Sequence, residues 1–190
     1  DLLADAGFSV WQMLPLGPTH ADQSPYQCQS VHAGNTRMID LQELAGRGWL
    51  DDAEPDRRKN PETERKTRLL AAFVGFQRHA SESERNDFRE FTERHRAWLD
   101  DYALYQALRG QFQGRPWYEW PRELRDREPA ALESERRRQA AAVEQNCFEQ
   151  YLFFSQWRAL RAHAAKRGVL LFGDIPIFVA HDSADVWAHT

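Results

Sequence analysis

Near its C-terminal end the chain passes from a basic helix end, through a glycine, into an unbroken apolar run and then an aspartate. Lys166-Arg167 precede Gly168, Val169-Leu170-Leu171-Phe172 follow, and Gly173-Asp174 come next. Basic residues suit the negative end of a helix, and glycine suits the left-handed conformation that closes one. Consecutive apolar residues without alternation are the pattern of a parallel strand covered on both faces. Asp174 then stands where that strand leaves the core. A helix feeding a strand that ends on a carboxylate points to an α/β architecture, and in a parallel α/β barrel that edge is the active-site face.

A second strand is predicted over Phe8–Leu16. Pro15 cannot donate to a ladder, so pairing should stop about there. Gly17-Pro18-Thr19 opens a long polar loop running to Asn35, and a long loop at a strand end is usually functional. Between the two strands the charge changes character. Residues 1–50 hold two basic residues and 168–190 hold none, whereas 51–167 carry the other 23 basic and 21 of the 29 acidic residues. Charge-rich, helix-patterned sequence between two apolar strands reads as a helical insertion. The expected division is a barrel strand with a substrate loop over 1–50, an inserted helical subdomain over 51–129, and a barrel helix, strand and active-site loop over 130–190. The fold class is therefore α/β, a partial (β/α)8 barrel with an inserted helical subdomain. A complete barrel needs eight strands and typically about 250 residues, and both ends read as cut, so the chain is expected to be an internal fragment of one catalytic domain.

Within the insertion, the apolar positions Leu69, Leu70, Phe73, Val74 and Phe76 predict a helix over Glu62–His79. Ser81 with Glu84 three residues on forms a capping box for a helix running to about Leu99. Asp101–Phe112 predicts a further helix. Pro129 suits a helix start, with the helix expected from about Ala130 to Arg167. In its second half Phe153, Trp157, Leu160 and Ala164 follow the spacing of one buried stripe.

Composition excludes several classes. A net charge of −4 argues against a nucleic-acid or acidic-membrane partner. No stretch of about 18 uncharged apolar residues is present to span a membrane. The histidines show no metal-ligand spacing and no glycine-rich phosphate loop occurs, so neither metal nor cofactor is expected. Cys28 and Cys147 lie far apart in sequence and read as two reduced thiols of a cytoplasmic protein.

Specific motifs narrow the reading further. Trp11-Gln12-Met13-Leu14-Pro15-Leu16-Gly17-Pro18-Thr19, Ser24-Pro25-Tyr26-Gln27, Ala33-Gly34-Asn35 and Ile39-Asp40-Leu41 occur in that order. Trp117-Tyr118-Glu119-Trp120-Pro121, Gln156-Trp157, Gly173-Asp174-Ile175-Pro176-Ile177-Phe178-Val179-Ala180 and Asp182-Ser183-Ala184-Asp185-Val186-Trp187 follow. This closely resembles the 4-α-glucanotransferases, the bacterial amylomaltases and plant disproportionating enzymes. The resemblance is weakest over Asp51–Ala97, and Thr36-Arg37-Met38 departs from the family pattern, which usually has a proline after the Gly-Asn pair. It implies an (α/β)8 barrel that moves a segment of an α-1,4-glucan to the 4-position of an acceptor, glucose or a maltooligosaccharide, by a retaining mechanism. The remaining alternatives are a related α-glucan hydrolase and a non-catalytic glucan-binding protein.

The resemblance also assigns residues. Asp174 matches an aspartate supporting the sugar-binding centre from a barrel strand. Tyr26 matches an aromatic that stacks on or hydrogen-bonds to glucosyl units, a role that suits a ring with an apolar face and a hydroxyl. Ser24 is a third substrate-binding candidate, with loop shaping its more natural role. The family nucleophile lies in an Arg-x-Asp motif on a later strand, and the acid/base lies later still. No such motif follows Asp174, so no catalytic carboxylate is expected in this chain, and the nucleophile and acid/base are expected beyond Thr190. Asp182-Ser183-Ala184-Asp185 reads best as a helix start capped by Asp182 or Ser183. Trp11 and Trp157 are expected in the core, and Trp117 and Trp120 in a packed aromatic turn.

Overall fold

The computed structural model describes residues 1–51 and 60–190. The expected start of the helical insertion falls on 52–59 and lies outside the described residues. Elsewhere the chain is mostly helical. A short helix α1 (Leu2–Asp5) leads to strand β1 (Val10–Gln12); α2 (Leu41–Gly46), α3 (Pro61–His79) and α4 (Glu82–Gln111) follow. Then come α5 (Arg122–Arg125), α6 (Pro129–Arg138), α7 (Ala140–Lys166), strand β2 (Leu170–Phe172) and α8 (Ala184–Ala188).

The two strands pair in parallel, Val10 opposite Leu170 and Gln12 opposite Phe172. Bonds from Leu170 N–H to the Ser9 carbonyl and from Met13 N–H to the Phe172 carbonyl extend the ladder at either end. The pairing is shorter than the Phe8–Leu16 expectation, ending ahead of Pro15. The apolar run is also not covered on both faces. Val169 is buried, but Leu170 is 69% and Phe172 60% exposed, because β1 is its one paired neighbour among the described residues and α7 is the helix packed on it. Trp11, expected in the core, is 38% exposed for the same reason.

Local signals set most helix ends. Asn60 accepts from the N–H groups of Glu62 and Thr63 at the head of α3, with Pro61 at its first position. Ser81 and Glu84 complete a reciprocal capping box at the head of α4. Gly168, at φ +72°, follows the end of α7, where the Val169 N–H reaches back to the Ala164 carbonyl. Two helix expectations need correction. Leu99 and Asp101 lie inside one continuous helix, α4, since Asp101 is paired with Arg127 at 2.7 Å and Arg136 at 3.3 Å and need not start a helix. Conversely, the expected 130–167 helix is two, α6 and α7, broken at Gln139 (φ −109°, ψ 22°).

The core lies where α3, α4 and α7 meet. Phe148 is fully buried, with ring centroids 4.8 Å from Phe76, 5.4 Å from Phe73 and 6.1 Å from both Phe88 and Trp49. The backbone of Trp49 presses so closely on α3 that a Cβ at Gly75 would lie 1.9 Å from the Trp49 carbonyl oxygen. The buried stripe of α7 therefore runs through Cys147, Phe148, Tyr151, Leu152 and Phe153. Trp157 is partly buried and Leu160 is 39% exposed, so the expected Phe153–Ala164 stripe describes only part of the helix. Trp117 and Trp120 are buried, each indole N–H donating to a carbonyl, of His181 and Arg115 respectively. Trp120 also meets the fully buried Trp187 edge-on at 5.5 Å.

Candidate functional site

Parallel pairing sends both chains out at the same end of the strand pair. Beyond β1 lies the loop 13–35, and beyond β2 the segment 173–183. Any side chains that these two segments share must meet at the C-terminal strand edge, where parallel α/β folds place their chemistry.

The first loop is tied at its neck. Thr19 and Cys28 form an antiparallel bridge, Gln29 N–H donates to the Pro18 carbonyl at 2.8 Å, and the Gln29 side chain donates to the Thr19 carbonyl at 2.9 Å. Gly17 accommodates this closure, since a Cβ there would lie 3.1 Å from both Cys28 Cβ and the Ser30 carbonyl oxygen. At the tip, Ser24-Pro25-Tyr26-Gln27 makes a β-turn closed by Gln27 N–H on the Ser24 carbonyl at 3.3 Å, with proline at the position it favours. Asp22 Oδ1 accepts the Ser24 N–H at 3.2 Å.

This turn presents Tyr26, 43% exposed, to the second segment. Its hydroxyl donates to Asp174 Oδ2 at 2.9 Å, across 148 residues of chain. The other carboxylate oxygen accepts the neighbouring Ile175 N–H at 2.8 Å. The bond to the carboxylate is also what holds the phenol of Tyr26 above its ordinary pKa, so Tyr26 remains a donor across the neutral range. The two leading sequence candidates are thus in direct contact. Ser24 enters through its backbone, which shapes the turn carrying Tyr26.

Ile175, Ile177 and Phe178 stand exposed, but from Asp182 on the chain is built into the helical body. Asp182 accepts the Tyr105 hydroxyl at 2.8 Å, an Arg109 guanidinium N–H at 2.5 Å and the Trp117 N–H at 3.3 Å. Burial pushes the Tyr105 hydroxyl far above the usual phenol range, keeping it a neutral donor to that carboxylate. Ser183, fully buried, caps α8 by accepting the Val186 N–H. Asp185 turns back to the first loop, accepting the Ser30 hydroxyl at 3.1 Å and the Val31 N–H at 2.8 Å. Thr190, the position beyond which the nucleophile and acid/base are expected, takes no part in the Tyr26–Asp174 contact. Its hydroxyl donates to the Trp187 carbonyl at 3.2 Å, behind α8.

Two glutamines that sequence reasoning leaves without a role also hold this loop. Gln150, fully buried, accepts the Gly34 N–H at 2.7 Å and donates to the Gly34 carbonyl at 3.0 Å. Gln156 makes the same two-point grip on Asp40, at 2.7 and 3.0 Å. Gly34 must lack a side chain here, because a Cβ would fall 1.9 Å from the Phe153 ring. Both cysteines are buried and unpaired, and burial raises both thiols, Cys147 to about 12. Among the described residues no group of three His, Cys, Asp or Glu side chains is placed to hold a metal ion.

Against known proteins, the sequence model of one family, described as 4-alpha-glucanotransferase, matches residues 1–190. The chain belongs to that family. It is 47% identical to a 4-alpha-glucanotransferase of Thermus thermophilus, covering 98% of this chain and 39% of the relative. It is 40% identical to the 4-alpha-glucanotransferase of Synechocystis, covering all of this chain and 39% of the relative. Among solved structures, an amylomaltase from Streptococcus agalactiae in complex with acarbose is similar, with a TM-score of 0.88 at 29% identity, over 98% of this chain and 40% of that one. The amylomaltase of Corynebacterium glutamicum, at 18% identity and a TM-score of 0.66 over 99% of this chain and 28% of its own, shares the fold. This 4-alpha-glucanotransferase-family chain thus spans about two-fifths of the length of the curated relatives it matches.

Proposed function

We propose that this chain forms part of an intact 4-α-glucanotransferase, which moves a segment of an α-1,4-glucan onto the 4-position of glucose or a maltooligosaccharide. The observation that carries this reading is the Tyr26–Asp174 contact at the C-terminal edge of a parallel strand pair, in a chain of this family. A carboxylate beside an exposed phenol offers an acceptor for sugar hydroxyls next to an aromatic face for a pyranose ring. A similar solved structure, an amylomaltase in complex with acarbose, supports a saccharide ligand for a chain of this fold.

In this proposal β1 and β2 are two strands of a (β/α)8 barrel. Residues 1–50 supply a strand and the substrate loop, 51–129 an inserted helical subdomain, and 130–190 a barrel helix, strand and active-site loop. The uncovered faces of β1 and β2 then meet further strands of the same barrel. Retention of configuration needs two carboxyl groups about 5–5.5 Å apart, a nucleophile and an acid/base. Asp182 and Asp185 are committed to Arg109, Tyr105, Ser30 and Val31, so neither is free to attack an anomeric carbon. The reacting carboxylates belong to the part of the enzyme beyond Thr190. Asp174, Tyr26 and, through the turn it shapes, Ser24 bind and orient the glucan, and transfer wins over hydrolysis when an acceptor sugar replaces water at the covalent intermediate. Two buried thiols suit a reducing, cytoplasmic setting. No helix among the described residues is long and apolar enough to cross a membrane.

Titration of the intact enzyme and its Tyr26→Ala variant with maltotetraose tests the sugar contact. A single aromatic contact is worth about 1 kcal/mol, so the variant should bind about tenfold more weakly or less, with its melting temperature little changed. Equal affinity for the two forms would make Tyr26 a packing residue.

A further inference from the structure

We infer that Asp185 is a positioning residue for the sugar site, setting the place of Tyr26 by strapping the first loop to the second. The inference rests on the reading of Tyr26 and Asp174 as glucan-binding.

The chain runs from Asp174 through the second segment into α8, which carries Asp185, and the two carboxylates hold the same loop at two points. Asp174 meets the turn at Tyr26. Asp185 meets the returning arm, with one oxygen on the Ser30 hydroxyl and the other on the Val31 N–H. Between those bonds the Ala184 N–H donates to the Gln29 carbonyl at 2.8 Å, so three successive loop residues are fixed by two residues of the α8 start. Ser30 is buried at 1% exposure, and its hydroxyl also receives the His32 N–H at 3.2 Å. The strap therefore orders the loop backbone on both sides of Ser30.

The base of the strap is rigid. Ser183 and Trp187, on either side of Asp185, are fully buried. The Trp187 indole N–H donates to the Leu124 carbonyl at 2.9 Å, and the Arg127 guanidinium lies 4.4 Å over its ring. On the loop side, the Thr19–Cys28 bridge closes the neck next to the strapped residues, so a displacement at Ser30 and Val31 reaches Tyr26 through the few residues of the returning arm. Asp185 touches neither Tyr26 nor Asp174, and its effect must run through that loop. Small errors in the placement of a binding group cost a large share of its benefit.

The test is a double-mutant cycle in the intact enzyme, with kcat and KM for maltotriose disproportionation and a thermal melt for each form. Asp185→Ala should raise KM about tenfold, the scale of losing hydrogen bonds to a charged group, with kcat changed less. In a Tyr26→Phe background, where the hydroxyl contact to Asp174 is already gone, the same substitution should change KM by no more than about twofold, since paired effects fail to add when one residue acts through the other. Asp185→Asn, which keeps one accepting oxygen, should recover part of the loss. If Asp185→Ala does not fold, Ser30→Ala removes one arm of the strap and should show the same dependence on the Tyr26 hydroxyl at a smaller size. An equal KM effect in both backgrounds, or none, overturns the positioning role while Tyr26→Phe and Asp174→Asn remain impaired. Unimpaired Tyr26→Phe and Asp174→Asn enzymes would instead overturn the sugar-site reading, and the strap's role with it.

Discussion

Replacing Asp174 by asparagine in the intact enzyme is expected to lower kcat/KM for maltotriose disproportionation about ten- to hundredfold, with no loss of thermal stability. The substitution keeps the shape and one oxygen that can accept the Tyr26 hydroxyl, and removes the charge. A hydrogen bond from a sugar hydroxyl to a charged acceptor is worth about 1.5–3 kcal/mol, and every 1.4 kcal/mol is about tenfold. The fold should be indifferent, because Asp174 is exposed and its protein contacts are the Tyr26 hydroxyl and the adjacent Ile175 N–H. Steady-state kinetics on maltotriose beside a thermal melt separates the two effects. Turnover near that of the wild type, at an unchanged melting temperature, would remove Asp174 from the sugar site.

The largest effect is expected for residues 1–190 produced alone: no detectable glucan transfer, and a marked tendency to aggregate. The chemical half follows from the commitment of Asp182 and Asp185 to structural partners and from the lack of an Arg-x-Asp motif between Asp174 and Thr190. The physical half follows from the strand edge. Leu170, Phe172, Ile175, Ile177 and Phe178 are between 60% and 88% exposed, together with Phe8 at 59%. Large exposed apolar side chains beside an open parallel pair invite association. The helices around Phe148 should persist, so helical circular dichroism is expected alongside strong binding of a hydrophobic dye. Glucose release from maltotriose by this chain would overturn the placement of the catalytic carboxylates beyond Thr190, and a monomeric species with a cooperative melt and no dye binding would contradict the folding half.

Signals that act within a few residues are legible in the sequence. Ser81 and Glu84 declare their capping box, Pro129 its helix start and Gly168 its left-handed turn, because each answers a local need of the backbone. Asp174 is legible from its place at a strand end and Tyr26 through resemblance, and no spacing rule joins two residues 148 apart. Signals settled by tertiary contact mislead. Asp101 reads as a place to begin a helix, yet α4 runs straight through, with Arg127 and Arg136 on Asp101. α7 packs on α3, α4 and β2 together, and its buried positions gather at Cys147–Phe153 with Ala164 further on. A single stripe through Trp157 and Leu160 cannot express that. Gln150 and Gln156 escape a reading of the sequence because a side-chain amide gripping one backbone residue leaves no periodicity behind.

Where labelled glucose goes is the most direct test of a transferase built on this strand edge. The intact enzyme would be incubated with maltotriose and isotopically labelled glucose, and the oligosaccharides separated by length and analysed for label. The expected result is label at the reducing end of maltose and longer chains, with products longer than maltotriose accumulating. Release of glucose and maltose with no label in any oligosaccharide would mark a hydrolase and contradict the transferase assignment.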